Sequence, residues 1–187
     1  MKKSLTKFVL ISISIAMIGC QQMPLKYQLD PEIVNLDELA SKAKMVALKV
    51  SDSRKPLNND QSQLISGPIN EAKLLQDKLI NQLKTKKYKI INNILLADLA
   101  IHLEIIQLNL TIKKTTFKSI IYGKSEIKIT VNKKNQQWSK IKKATRTQEV
   151  ANPANNIDAT GVLNQMLSQQ LSSLFADKSL LEFVKKE

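Results

Sequence analysis

Residues 97–114, ADLAIHLEIIQLNLTIKK, form the longest stretch of the chain that alternates between apolar and polar side chains. Up to Ile105 the apolar side chains occupy the odd-numbered positions, starting at Leu99. The alternation then changes parity, and the apolar positions become Ile106, Leu108, Leu110 and Ile112. Because a slip of one residue turns every side chain to the opposite face, the pattern predicts a long strand with a bulge or sharp bend near Ile105–Ile106.

Two further strands are predicted immediately after this stretch. Residues 117–131 place isoleucine and valine on one face, and Lys124, Glu126, Lys128 and Thr130 on the other. The segment NKKNQQ, residues 132–137, is typical of a turn, and residues 138–147 form a weaker, basic strand. The three segments therefore predict two consecutive hairpins, with one sheet face rich in lysine and the other packed on helices.

The flanking segments supply two short strands and two long helices. Residues 45–50 alternate as a strand before the polar loop SDSRKPLNND, and residues 71–87 carry a helical apolar stripe with Asn70 as the N-cap. Residues 88–91 favour a short strand, and residues 157–175 a second long helix. Asp177 is suited to cap a last short helix. This order predicts an α+β two-layer sandwich, a mostly antiparallel sheet with two long helices packed on one face.

The N-terminus has the features of a secretory signal. Lys2, Lys3 and Lys7 precede an uncharged run from Phe8 to Gly19, which is shorter than the roughly 20 residues that a membrane-spanning helix needs. Met17-Ile18-Gly19-Cys20 resembles the lipobox of bacterial lipoproteins, in which the cysteine is acylated and becomes the first mature residue. An ordinary secreted protein, or a buried free cysteine, is the alternative.

We therefore expect a signal peptide over residues 1–19, a lipidated N-terminus and tether over residues 20–44, and a single α+β domain over residues 45–187. The tether could reach roughly 80 Å if fully extended, and its alternating residues 25–29 could instead add an edge strand. By analogy with enterobacterial lipoproteins, Gln21 in place of aspartate favours the outer membrane. The protein would then be held there by the acyl chains on Cys20, facing the periplasm.

The positive charge of the chain is concentrated in the hairpins. The whole chain carries a formal net charge of +13. Between residues 113 and 146 a single acid, Glu126, stands against eleven basic residues. They are Lys113, Lys114, Lys118, Lys124, Lys128, Lys133, Lys134, Lys140, Lys142, Lys143 and Arg146. Such a surface suits anionic lipid, lipopolysaccharide phosphates or an acidic protein partner, whereas nucleic acid is not expected at an outer membrane. The alternative is a compositional bias toward lysine, which also protects strand edges.

No arrangement typical of an enzyme is visible. His102 lies next but one to Glu104 on one strand face, but no second histidine and no further cysteine is present to complete a metal site. The sequence contains only four glycines, and none forms a phosphate-binding loop. Asp52 and Arg54 follow the first strand and could shape the rim of a site or make a local turn contact. We therefore expect a protein without catalytic residues, metal or cofactor.

Several segments taken together resemble the YajG-type bacterial lipoproteins. They are the lipobox cysteine, MVALKV followed by Asp52-x-Arg54, KYKI before the long strand, and the C-terminal segment that starts at NNIDATGVLNQ and ends in EFVKKE. Because that family has no well-established biochemical activity, the resemblance implies a compartment and a fold rather than a mechanism. The order of elements is also similar to that of small lipoprotein subunits of envelope transport machines.

The sequence thus favours a non-enzymatic outer-membrane lipoprotein that acts as an accessory or interaction subunit in the cell envelope. The alternative is a module that binds the head groups of anionic lipid or lipopolysaccharide through its lysines. Steep loss of binding with salt, in the absence of any protein partner, would distinguish the second function from the first. A hydrolase is the third and least favoured possibility.

Overall fold

The computed structural model describes residues 29–36, 43, 45–54, 71–151 and 153–186. Signal peptide, Cys20 and the helix cap predicted at Asn70 lie outside these residues. Five strands are present: β1 Met45–Asp52, β2 Lys89–Ile90, β3 Leu99–Lys114, β4 Lys118–Lys133 and β5 Gln136–Ala151. The helices are α1 Glu71–Thr85, α2 Asn156–Phe175 and α3 Lys178–Lys185, with a 3₁₀ turn at Ile94–Leu96.

The strands form one sheet in the order β2-β1-β3-β4-β5. Strand β1 runs parallel to β2 and β3, while the three long strands β3, β4 and β5 are antiparallel to their neighbours. Leucines of α1 and most of the apolar side chains of α2 are buried against one side of this sheet in a single core. The predicted two-layer α+β fold, with two long helices on one face, is confirmed.

The predicted bulge in β3 is also confirmed. Ile105 pairs with Ile127, but the next paired residue is Gln107, opposite Glu126, so Ile106 is the extra residue. Ile105 and Leu108 are both buried as a result. The bulge therefore lets one strand keep its apolar side chains toward the helices on both sides of the parity change.

At two of the element ends that differ from the prediction, a left-handed backbone explains the difference. The turn between β4 and β5 takes only two residues, because Lys134 adopts a φ of 53° and lets Lys133 pair with Gln136. Helix α1 ends at Thr85 rather than at residue 87, since Lys87 has a φ of 67° and its N–H donates to the carbonyl of Lys84. Left-handed residues of this kind terminate helices.

Residues 29–36 belong to the core rather than to a tether. The N–H of Asp30 donates to Asn164 Oδ1 at 2.9 Å on α2, and the N–H of Val34 donates to Ser172 Oγ at 3.1 Å. On the other side, Gln82 of α1 donates to the carbonyl of Ile33. Leu29, Ile33 and Leu36 are buried. This segment, which we call the wedge, thus lies between the two long helices. Of the edge strand predicted over residues 25–29, only Leu29 is among the described residues.

The wedge shortens the distance over which an acylated Cys20 could hold the domain. Leu29 lies nine positions after Cys20 in the chain. An extended chain covers about 3.3–3.6 Å per residue, so Cys20 lies within roughly 30 Å of the core. The domain therefore stays much closer to any surface that holds Cys20 than the roughly 80 Å expected for a tether of residues 20–44.

Helix α3 is linked to the edge strand β5 through its N-cap residue. Asp177 caps the helix, accepting hydrogen bonds from the backbone N–H groups of Ser179 at 3.0 Å and Leu180 at 3.4 Å. Its carboxylate also pairs with Lys140 of β5. The hydrogen bond from Lys140, followed by that from the Ser179 hydroxyl, lowers the pKa of Asp177 to about 2.

The low pKa of Asp177 predicts how the stability depends on acid. The carboxylate stabilises the fold fully above its ordinary pKa of 3.8, and this contribution is lost as the pH falls toward about 2. The variant Asp177→Asn keeps a capping side chain but removes the charge, so we expect it to lose about 1–2 kcal/mol at neutral pH and to show a flatter acid limb. Urea unfolding across this pH range measures both effects. An acid limb unchanged from the wild type would contradict this assignment, and Glu149→Gln is the surface control.

Candidate functional site

The register of the sheet determines which way each basic side chain of the hairpins points. Directly paired residues of antiparallel strands share a face. Ile127 and Ile129 face the helices because both are fully buried in the core. Residues one position away from them, such as Lys128, therefore lie on the opposite side, which we call the outer face. None of the helices within the described residues packs on this face.

The structure divides the eleven predicted basic residues between the two sides. On the outer face lie Lys113, Lys118, Lys124, Lys128 and Lys143. On the helix side, along its margins, lie Lys114, Lys133, Lys140, Lys142 and Arg146. Lys134 occupies the tight turn between β4 and β5. Only some of the basic residues of this segment therefore lie together on one surface.

Two of the residues on the helix side hold helix α3 in place. Lys133 donates to the carbonyl of Val184 at 2.6 Å and to that of Lys186, at the end of the helix. A cation there also interacts favourably with the helix dipole. Lys140 pairs with Asp177 at the opposite end of the same helix. Both lysines therefore have structural partners within the domain.

The glutamates of the outer face each pair with a lysine on the neighbouring strand. Lys118 lies 2.7 Å from Glu149, Lys143 lies 3.1 Å from Glu126, and Lys128 lies 3.9 Å from Glu104. These side chains remain partly or largely exposed, and exposed pairs of this kind contribute only about 0–1 kcal/mol each. The ion pairs position these side chains, and the outer face remains exposed to solvent.

An excess of positive charge remains on the outer face after this pairing. Lys113 and Lys124 have no ion pair with any residue in the described ranges, and Lys49 extends the same side onto β1. Tyr122 and Ile141 are apolar side chains exposed on this face. The outer face therefore combines a moderate positive charge with scattered apolar groups, a composition that suits a polar or acidic partner surface.

The rim predicted at Asp52 and Arg54 is a three-residue cluster. Arg54 Nε donates to both carboxylate oxygens of Asp52, at 2.9 and 3.0 Å. The guanidinium also pairs with Glu71, which is fully buried in the first turn of α1. The hydrogen bond from Arg54 lowers the pKa of Asp52, and the same pairing raises the pKa of Arg54. The cluster thus ties the end of β1 to the start of α1.

His102 lies on the outer face, half-buried, with its Nε2 at 2.8 Å from the hydroxyl of Ser51. Burial, followed by the charge of Lys49, lowers the pKa of His102 below its ordinary value. Glu104 pairs with Lys128. Among the residues that the structure describes, no group of three or more His, Cys, Asp or Glu side chains could hold a metal ion.

Besides the wedge, two features of the structure were not predicted from the sequence. Glu71 is the buried partner of Arg54, and 17 positions along the chain separate the two residues. The second feature is the 3₁₀ turn Ile94–Leu96, whose side chains are exposed. The sequence signal for that turn is a three-residue apolar run between Asn93, a capping residue, and Ala97. No helix within the described ranges has both the length and the hydrophobicity required to cross a membrane.

A family described as uncharacterized lipoprotein matches residues 31–185 of this chain. Among curated proteins, no significant match is found.

Several solved structures are similar to the domain at low sequence identity. A hypothetical protein from Chlamydia trachomatis is 14% identical, with a TM-score of 0.43 over 75% of this chain and 94% of the other. A lipoprotein from Neisseria meningitidis is 9% identical, with a TM-score of 0.36 over 65% and 92%. The rare lipoprotein B from Shewanella oneidensis is 12% identical, with a TM-score of 0.35 over 73% and 92%. At these values none of them carries an argument about ligand or mechanism.

Proposed function

This chain belongs to a family of uncharacterized bacterial lipoproteins, and on that premise we propose that it is a non-enzymatic accessory or interaction subunit of the outer membrane, facing the periplasm. The order of its segments supports placing it among the YajG-type members. Residues 1–19 serve as the signal peptide in this proposal, and Cys20 carries the acyl chains. A single acyl chain binds a membrane only reversibly, so stable anchoring relies on the several chains of a lipoprotein.

The open outer face is the observation that carries the interaction role. Strands of 16 residues present this face over β3, β4 and β5, and no helix in the described part of the chain covers it. Its lysines outnumber its glutamates, and its exposed apolar groups are Tyr122 and Ile141. We infer a protein partner whose contacting surface is acidic, because opposite charges across an interface favour docking and set its orientation.

Binding of anionic lipid or lipopolysaccharide head groups is the second candidate for this face. Lys113 and Lys124 support it, because neither has an acidic partner within the described ranges. Lysines are compatible with phosphate as point charges, although bidentate recognition would require arginine. Head-group binding through this face would weaken steeply with salt and would need no protein partner.

Photo-crosslinking in cells tests the two candidates directly. With a photoreactive amino acid at Lys124 or Ile141, we expect a discrete protein adduct that mass spectrometry can identify, and we expect its loss when Cys20→Ala removes the anchor. Gln165 is the matched control, because it is exposed on α2 at the opposite side of the domain. Adducts to lipid alone would favour the second candidate. A protein adduct from Gln165 but not from the outer face would contradict the assignment of the surface.

A further inference from the structure

The 3₁₀ turn between β2 and β3 exposes three consecutive large aliphatic side chains. Ile94 is 49% exposed, Leu95 93% and Leu96 64%, and none of the three belongs to the buried core. Single exposed apolar residues are common on soluble proteins, but a contiguous group marks an interaction site. We call these three residues the apolar tip.

The fold holds the apolar tip in a defined position. The side chain of Asn93 accepts a hydrogen bond from the N–H of Leu95 at 3.0 Å, and the N–H of Ala97 donates to the carbonyl of Ile94. Both ends of the loop are tied to the first residues of β1. The N–H of Ile91 donates to Val46 at 3.0 Å, and that of Asp98 donates to Met45 at 2.9 Å. The tip therefore projects from the end of the sheet at which β1 begins.

Lysines precede the apolar tip in the chain and lie at the same end of the sheet, because Lys89 pairs with Met45, the first residue of β1. The end of α1 and the start of β2 carry four exposed lysines, which we call the lysine collar: Lys84, Lys86, Lys87 and Lys89. Asp98 is the only acid between residues 84 and 98. Its carboxylate accepts a hydrogen bond at 2.8 Å from the N–H of Met45. This end of the domain therefore carries a net positive charge next to a projecting apolar group.

We propose that the apolar tip inserts into the interface of an anionic phospholipid membrane while the lysine collar contacts the head-group phosphates. A projecting apolar group flanked by cations gains free energy both from burial in the acyl boundary and from the negative surface potential. The position of the wedge is compatible with the same occupant, because nine positions separate Leu29 from Cys20 and an extended chain of that length covers roughly 30 Å. The insertion proposal depends on the proposed anchoring at Cys20 only for this proximity to the membrane.

Docking by the apolar tip would leave the outer face accessible. The tip lies at one end of the sheet, whereas the outer face runs along the length of β3, β4 and β5. The domain would contact the membrane end-on, with one side still open to a partner. Membrane docking and partner binding would therefore use separate residues, and each can be removed without the other.

A fluorophore on an engineered cysteine tests the insertion in the acylated protein. Cys20 is the only cysteine of the chain, so Leu95→Cys supplies a single reactive thiol once Cys20 carries its acyl chains. With an environment-sensitive label at position 95, we expect a blue shift, and quenching by lipids that carry a nitroxide, in vesicles containing phosphatidylglycerol. The comparison label is at Phe117→Cys, because Phe117 is also exposed but lies in the turn at the opposite end of β3. Quenching at position 117 without quenching at 95 would overturn the proposal.

A second measurement separates insertion from anchoring. Every core residue that the structure describes lies between Leu29 and Val184, so the chain from residue 20 onward with Cys20→Ala retains them all. For its binding to phosphatidylglycerol vesicles, we expect a roughly tenfold weaker partition for each of Leu95→Ser and Leu96→Ser. Each lysine of the collar changed to glutamine should weaken it about fivefold. Ile157→Ser is the matched control and should leave the partition unchanged, because Ile157 is also an exposed aliphatic residue but lies in the first turn of α2.

The outcomes distinguish the two proposals. If the Cys20→Ala form binds vesicles through Leu95 as tightly as the protein with native Cys20 does, the anchoring proposal fails and the insertion proposal stands. If the acylated protein is held on vesicles while the label at 95 stays in water, the insertion proposal fails. Equal partition into phosphatidylglycerol and phosphatidylcholine vesicles would overturn the role of the lysine collar.

Discussion

Replacing Glu71 with alanine is expected to lower the free energy of unfolding by about 3–5 kcal/mol, because it removes one partner of a buried ion pair. Glu71 is fully buried and pairs with Arg54, whose side chain is itself only 20% exposed. Without Glu71, the guanidinium keeps only the pairing with Asp52, which is more exposed. Urea unfolding of the purified protein measures the change.

A double-mutant cycle makes this expectation specific to the pair. Arg54→Ala leaves the buried carboxylate of Glu71 without its guanidinium, so a similar loss is expected from that variant alone. The double variant should be less destabilised than the sum of the two, because neither charge is then left behind. Glu149→Ala is the matched control, since Glu149 belongs to an exposed pair with Lys118 and should cost only about 0–1 kcal/mol. Equal effects of Glu71→Ala and Glu149→Ala would show that the cluster does not stabilise the fold.

Leu36→Ala is expected to destabilise the domain by about 2–5 kcal/mol, the range for truncation of a fully buried leucine. Leu36 is the last buried residue of the wedge, and no part of it is exposed. The change would leave a cavity beside the two long helices, with their leucines held in place by the sheet. Thermal or urea unfolding measures the loss.

The control for the wedge lies in the same segment. Val34 is 51% exposed, although its N–H bonds to Ser172. Val34→Ala should therefore change the stability by no more than about 0.5 kcal/mol, as surface substitutions usually do. If residues 29–36 formed a tether outside the core, neither variant would affect unfolding. An unchanged stability for Leu36→Ala would thus contradict the placement of the wedge.

Local periodicity was sufficient to predict the long strands of the sheet and the side to which their apolar residues point. The parity change at Ile105–Ile106 located the bulge, because each strand residue must face either the helices or solvent and the apolar ones must face the helices. The same alternation separated Ile127 and Ile129 from Lys128. These predictions depend only on residues close together in the chain, and the structure confirms them.

Alternation also limited what could be said of the basic segment. Counting lysines along the chain grouped residues that lie on opposite sides of the sheet, such as Lys140 and Lys143. Which lysines are paired depends on the neighbouring strand, as for Lys118 and Glu149. The pairings of the candidate surface therefore followed from the register, which the sequence does not determine by itself.

The wedge and the buried glutamate could not be predicted in this way. The apolar spacing of Leu29, Ile33 and Leu36 is too short to define an element, and its partners lie on α2, more than 130 residues away. The partner of Arg54 is 17 residues distant across a polar loop. Contacts of this kind arise from tertiary packing, and neither a helical nor a strand period reports them.

The wedge also sets the order in which the domain can fold. Its hydrogen bonds join residues separated by 134 and 138 positions. The first described residues therefore cannot reach their native contacts until α2 is present. The two hairpins can form as soon as residue 151 is available, but the helix layer can pack on the sheet only after α2 has been synthesised. Non-local closure of this type slows folding. A chain that leaves a ribosome or crosses a membrane N-terminus first would therefore stay incompletely folded until nearly all of it had emerged.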